Sequence, residues 1–249
     1  MNLKKSIKKH FFQSKNNQLT VGTYNESTRV NWLEKVLKEI PEGSKILDAG
    51  AGEQQFKKFC SHLEYVSQDF AEYNPEELDL GLQMQEWDYG KLDIVSDIAS
   101  IPEKDSSFDA IMCTEVFEHI IHPREAMKEF SRLLKKDGYL ILSAPFCSLT
   151  HFAPYHYYTG FSKFFYELEL KNNDFEIIEM TTNGNYFEYL GQEMGRIKRI
   201  AKLYSNTDIN SKDIKNIDKI KALLQELSEK DTNSSELLCF GYHVLARKK

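Results

Sequence analysis

The stretch Lys45-Ile46-Leu47-Asp48-Ala49-Gly50-Ala51-Gly52-Glu53-Gln54-Gln55-Phe56 decides the fold. Lys45 to Leu47 open a short buried strand, Ala49 to Glu53 make a glycine-containing turn, and Gln54 to Cys60 read as the helix that follows. This is a βα unit whose turn lies at the carboxyl end of a strand. Glycine there lets the backbone turn sharply and lets a ligand approach to van der Waals distance. A glycine turn alone has limited specificity, because many nucleotide-binding folds and some purely conformational turns need one.

Outward from this unit, helices and strands alternate. Val30, Leu33, Val36, Leu37 and Ile40 recur at helical spacing before it, with Asn25 or Ser27 as caps and Pro41-Glu42-Gly43 as the stop. After it come strands at Tyr65 to Ser67 (ending at Asp69), Leu92 to Ser96 (ending at Asp97), Asp109 to Cys113 and Tyr139 to Ala144. A helix over Pro123 to Lys136 carries Ala126, Met127, Phe130, Leu133 and Leu134 on one face, with Gly138 just beyond it. Such alternation predicts an α/β fold with a doubly wound, mainly parallel sheet. Phe161 to Leu170 read as a helix, Phe175 to Met180 as a strand, and Phe240 to Ala246 as the last strand. Residues 186–231 form a helical insertion with patterns at Tyr189 to Leu203 and Ile214 to Leu227 around the polar stretch Ser205 to Asp213. The expected organisation is an N-terminal tail and helix (1–40), a core (41–185 and 232–249), and the insertion (186–231) acting as a lid, a wall or a dimer contact.

Composition bounds the function. The chain has 249 residues and a net charge of -6, with no apolar run of the ~18 residues a membrane-spanning helix needs and a polar N-terminus without a signal-peptide core. A cytoplasmic location is expected. Cys60, Cys113, Cys147 and Cys239 are far apart and form no CxxC pair, so neither a disulfide framework nor a zinc site is expected. The net acidity argues against a broad nucleic-acid surface and favours a small acceptor molecule. Lys4, Lys5, Lys8 and Lys9 beside Phe11 and Phe12 read as a solvated basic tail rather than a membrane or polyanion contact.

Later acids give the turn its meaning. Asp69 lies 21 residues after Asp48, where a carboxylate accepts hydrogen bonds from the vicinal hydroxyls of a ribose. Asp97 followed by Ile98 suits an adenine: carboxylate for the exocyclic amine, aliphatic side chain against the ring. At these residues, and through Phe108-Asp109-Ala110-Ile111, Glu115-Val116-Phe117-Glu118-His119 and Gly138-Tyr139-Leu140-Ile141-Leu142, the chain resembles class I S-adenosylmethionine-dependent methyltransferases.

The resemblance implies a Rossmann-like seven-stranded sheet whose last strand, in Phe240 to Arg247, is antiparallel. It implies that Asp48, Gly50 and Gly52 surround the methionine part of S-adenosylmethionine, Asp69 the ribose, and Asp97 with Ile98 the adenine, with Phe70 a further cofactor-binding residue. Cys113, Thr114 and Glu115 would flank the sulfonium through their backbone. Tyr24 and Arg29 would reach the cofactor's carboxylate, a surface salt bridge being the alternative for Arg29. Where the family often has a further glycine this chain has Gln54. A nicotinamide dehydrogenase shares the turn, but its third glycine would fall at Gln55.

Methyl transfer from a sulfonium is an in-line displacement, so alignment and exclusion of water matter most, and a base helps most with hydroxyl acceptors. A histidine on the loops beyond the fourth and fifth strands suits that role. His119 is one candidate and His122 reads as a turn residue. Thr150 to Phe161 packs two histidines and five aromatics into twelve residues, making His151 and His156 the leading candidates. His156-Tyr157 and Phe161-Ser162 resemble bacterial methyltransferases of surface-polysaccharide and other small-molecule pathways, which implies a hydroxyl on a sugar, a nucleotide-linked precursor or a similar metabolite. Tyr155, Tyr157, Tyr158 and Tyr186 are candidate walls of the acceptor pocket. No acidic triad of the catechol-magnesium type is present, so no metal is expected. A partner protein without its own catalysis, or an enzyme acting on tRNA or protein, are the competing readings.

Overall fold

The computed structural model describes residues 19–73, 81–82 and 88–249; the basic cluster from Lys4 to Phe12 lies outside the described residues. Seven strands form one sheet: β1 (Lys45–Ala49), β2 (Glu64–Asp69), β3 (Ile94–Val95), β4 (Phe108–Thr114), β5 (Leu134–Pro145), β6 (Phe175–Asn183) and β7 (Gly241–Lys248). Their order is β3-β2-β1-β4-β5-β7-β6. β1 to β5 pair in parallel, and β7 runs antiparallel between β5 and β6.

Alternation along each strand explains why both faces are covered. Ile46, Met112 and Ile141 pack on one side with Trp32, Leu33, Val36 and Leu37 of α1 (Asn25–Glu39). Leu47, Ile111, Leu140 and Leu142 pack on the other with Met127, Phe130 and Leu133 of α2 (Pro123–Leu133) and Tyr166 and Leu170 of α3 (Lys163–Asn172). Strands buried on both faces read as apolar runs rather than alternating ones, as these do.

Three expectations change. Gln54 to Cys60 forms turns and one 3-10 turn at Lys57–Phe59, not an α-helix. Gln54 sits at φ +56°, outside helical space, and its amide donates to the carbonyls of Tyr89 (2.9 Å) and Lys91 (3.1 Å), tying the turn to the segment before β3. β3 contracts to two residues paired with Gln68 and Asp69. The helix expected to reach Lys136 ends at Leu133, because Leu134 is already extended and pairs with Phe108, while Asp137 at φ +63° makes the turn into the rest of β5.

The insertion is a pair of packed helices, α4 (Tyr186–Ser205) and α5 (Ser211–Glu229), each capped by an asparagine side chain that accepts two backbone N–H bonds. It holds the segment before α1. Gln225 accepts from Thr20 N (3.0 Å), Glu188 from Gly22 N (2.6 Å), and Gln192 from Asn25 Nδ2 (3.2 Å). No helix among the described residues is long and apolar enough to cross a membrane.

Candidate active site

A cavity of about 860 Å³ opens at the carboxyl ends of β1, β2, β3 and β4, where parallel sheets place ligands. Its walls include Asp48, Gly50, Gly52, Asp69, Phe70, Asp97, Ile98, Thr114, Glu115 and Arg29, so most of the expected cofactor residues meet in one space. Three buried polar atoms without partners, Arg29 Nε, Gln68 Oε1 and Thr114 Oγ1, belong to wall residues. Buried polar atoms are normally paired, so this cavity is built for a polar ligand.

Asp69 is the best-organised acid. Its Oδ2 accepts from Gly52 N and its Oδ1 from Ala71 N, both at 2.9 Å, which locks the carboxylate at the end of β2 and leaves a further lone pair on each oxygen. Burial nevertheless raises its pKa above the ordinary value, against the pull of those backbone donors. Asp97 is exposed at the cavity wall and accepts from Ala99 N at 2.8 Å, while Ile98 is buried beside it. Gly50 and Gly52 take φ +78° and +48°, the left-handed turn that glycine tolerates.

Asp48 is buried and accepts from the Tyr65 hydroxyl at 2.5 Å. Desolvation, with Asp69 adding to it and Tyr65 opposing, pushes its carboxyl from 3.8 up to about 7. The folded chain therefore holds a proton that the unfolded chain has released across that window, so stability falls as pH rises from about 4 to about 7. Asp48→Asn keeps the acceptor for Tyr65 and cannot ionise. We expect denaturant unfolding of the ligand-free wild type to lose about 2–3 kcal/mol more than this variant between pH 5 and pH 8. Equal losses in the two proteins would show that Asp48 ionises freely in the fold.

The other end of the cavity is bounded by Ile120, Ile121, Phe152, Tyr155 and Tyr157, with His119, His122 and His151 among them. His119 Nδ1 lies 2.6 Å from the Tyr155 carbonyl oxygen and His151 Nδ1 lies 2.8 Å from that of Leu149. Burial, reinforced by His151, lowers His119 to about 3, so its ring is neutral. Glu118, absent from the expected site, is fully buried against both rings, its Oε1 lying 3.6 Å from His119 Nε2 and 3.9 Å from His151 Nε2. Burial first, then the charge of Glu115, raises its pKa. The motif Glu115-Val116-Phe117-Glu118-His119 held the signal, but which acid faces inward depends on Glu115 taking φ +56° and the 3-10 turn at Phe117–His119.

Several expected residues lie elsewhere. Cys113, expected to contribute through its backbone, is not a wall residue; its side chain belongs to the buried core with Phe117 and Leu142. Tyr24 is half exposed ahead of α1 and also lies off the wall; Glu26 and Arg29, on the inner side of the helix, take that place. Arg29 pairs with Glu115 Oε2 at 3.2 Å, a partly buried ion pair between two wall residues rather than the alternative surface salt bridge. Tyr158 points its hydroxyl at the Ile121 carbonyl and Tyr186 meets Phe187 edge-to-face at the start of α4; neither lines the cavity. His156 packs behind His151, ring centroids 4.9 Å apart, with both nitrogens buried and unpartnered.

The family described as Methyltransferase domain matches residues 24–190, more than half of the chain. Over 122 residues the chain is 26% identical to the mitochondrial ubiquinone biosynthesis O-methyltransferase of Schizosaccharomyces pombe, a match that covers 47% of this chain and 44% of that protein. The chain thus spans less than half the length of that curated relative. A SAM-dependent methyltransferase from Archaeoglobus fulgidus superposes with a TM-score of 0.53 at 16% identity, covering 89% of this chain and 94% of that one. YcgJ from Bacillus subtilis superposes with a TM-score of 0.52 at 16% identity, covering 90% and 99%. At such identities the likeness is one of fold. The family match, the strand order and the acids at the ends of β1, β2 and β3 agree: the chain belongs to the methyltransferase-domain family, the S-adenosylmethionine-dependent class I methyltransferases.

Proposed function

We propose that the protein transfers the methyl group of S-adenosylmethionine to a hydroxyl oxygen of a small metabolite such as a sugar or a nucleotide-linked precursor. The observation that carries this reading is the joining, in one cavity, of an acid-lined nucleoside end to an aromatic end bearing histidine lone pairs. Asp97 and Ile98 take the adenine, Asp69 the ribose, and Gly50, Gly52 and Asp48 the methionine part. S-adenosylmethionine supplies an activated methyl group on a sulfonium cation, which the acids of this cavity favour electrostatically.

The acceptor end supports an oxygen acceptor. The carbonyls of Tyr155 and Leu149 only accept, so His119 and His151 carry their protons on Nδ1 and keep a lone pair on Nε2 for a hydroxyl proton. Phe152, Tyr155 and Tyr157 offer flat surfaces for the C–H face of a sugar or a ring. The yeast relative, by its name, methylates oxygen. His119 and His151, rather than His156, are therefore the residues proposed to act on the hydroxyl.

Titration calorimetry with S-adenosylmethionine, then radiolabelled methyl transfer to a panel of hydroxylated sugars and phenols, tests this reading. Submillimolar cofactor binding and label recovered as an alkali-stable methyl ether are expected. His151→Ala should lower that turnover by about 10²–10⁴-fold, the usual worth of a positioned base. Label appearing in RNA or protein alone would overturn the small-acceptor assignment.

A further inference from the structure

Glu118, His119 and His151 converge on one point from three positions in the chain, their ligand atoms all within 4.8 Å of one another. Each histidine has its Nδ1 tied to a backbone carbonyl, an arrangement that in the neutral tautomer leaves the Nε2 lone pair facing the Glu118 carboxylate. Neither oxygen of Glu118 has a hydrogen-bond partner, although its side chain is only 1% exposed. Lone pairs thus face lone pairs. Separations of 3.6 and 3.9 Å are longer than the roughly 2.7–3.2 Å a shared proton would span. A water brings two hydrogens to three acceptors. A metal ion, with bonds of about 2.0–2.2 Å to nitrogen and oxygen, satisfies all three after a small closure of the rings.

We infer that Glu118, His119 and His151 bind a divalent transition-metal ion of the zinc class at the acceptor end of the cavity. Two imidazoles and one carboxylate select such an ion over magnesium or calcium, which prefer oxygen throughout. The Nδ1–H bonds to the carbonyls of Tyr155 and Leu149 are the outer support that metal-binding histidines require, fixing ring orientation and tautomer. His119 and His151 line the cavity while Glu118 stands behind them, so the remaining coordination positions face the space where an acceptor sits.

This inference rests on the O-methyl-transfer reading and refines it: with their Nε2 lone pairs on the ion, the same histidines act on the hydroxyl through the metal rather than by taking its proton directly. An ion there lowers the pKa of an acceptor hydroxyl beside it. The O–H bond breaks and its proton passes to water. The oxygen then forms its bond to the methyl carbon as the sulfur–methyl bond breaks, the electron pair staying on sulfur and cancelling the sulfonium charge.

The test uses the full chain, stripped with a chelator and titrated with Zn(II) by calorimetry and with Co(II) by visible absorption, with S-adenosylhomocysteine titrated into the same samples. One equivalent of metal is expected. His151→Ala and the near-isosteric Glu118→Gln should each weaken it by more than the roughly 10–100-fold that loss of an outer-shell partner costs, with S-adenosylhomocysteine binding retained. Absence of stoichiometric metal binding in a wild type that binds S-adenosylhomocysteine overturns the site and leaves the methyl-transfer reading standing. Metal binding undiminished in both variants overturns the ligand assignment. Loss of S-adenosylhomocysteine binding by the wild type itself overturns the methyl-transfer reading instead.

Discussion

Asp69→Ala is expected to weaken S-adenosylhomocysteine binding by about 100-fold or more in titration calorimetry, equivalent to about 2.7 kcal/mol. The carboxylate is only 4% exposed and accepts Gly52 N and Ala71 N. Truncation leaves both backbone donors without their acceptor, at about 1–3 kcal/mol for each one that stays buried, and removes the carboxylate proposed to hold the ribose hydroxyls. It also frees Ala71, held at φ +58° by the same carboxylate. Asp69→Asn, which keeps one acceptor oxygen, should recover part of the affinity. Unchanged binding by Asp69→Ala would show that the ribose does not sit at the end of β2.

Gly160→Ala is expected to lower the unfolding free energy by about 3 kcal/mol and to cut acceptor turnover well below any loss in cofactor affinity. Gly160 sits at φ +149°, and a Cβ there would stand 2.3 Å from the Phe146 carbonyl oxygen and 2.5 Å from that of Pro145. These are backbone atoms at the end of β5, so no rotamer change relieves the contact. The chain must move, and with it the bond from Phe161 N to the Pro145 carbonyl that closes the loop bearing His151 and His156. Chemical denaturation gives the first effect, and comparison of S-adenosylhomocysteine affinity with methyl transfer gives the second. A variant with wild-type stability and turnover would show that the loop adapts without that closure.

The sheet and the strand-end acids that line the cavity were legible in the sequence because both are local. Apolar runs mark strands buried on two faces, and Asp48, Asp69 and Asp97 are read by position because each lies within a few residues of a strand end. Even Gln54, in place of a glycine, was visible as a departure, and the structure resolves it as a left-handed residue whose amide ties down the segment before β3. Of the three consecutive residues Cys113, Thr114 and Glu115, the last two line the cavity, while the Cys113 side chain is buried in the core.

The acceptor end was not legible in the same way. His119 meets the Tyr155 carbonyl across 36 residues of sequence. That meeting depends on Gly160 closing the loop against β5, on Leu82 N bonding to the Thr150 carbonyl, and on Tyr158 reaching Ile121. None of these contacts has a period or a spacing that marks it. Hydrophobic pattern and turn chemistry by themselves determined a doubly wound sheet with an acid at each of three successive strand ends. Only the tertiary structure decided that Glu118 faces His119 and His151 with both carboxyl oxygens lacking a hydrogen-bond partner, because loop geometry is set by long-range packing and hydrogen bonds rather than by local propensity.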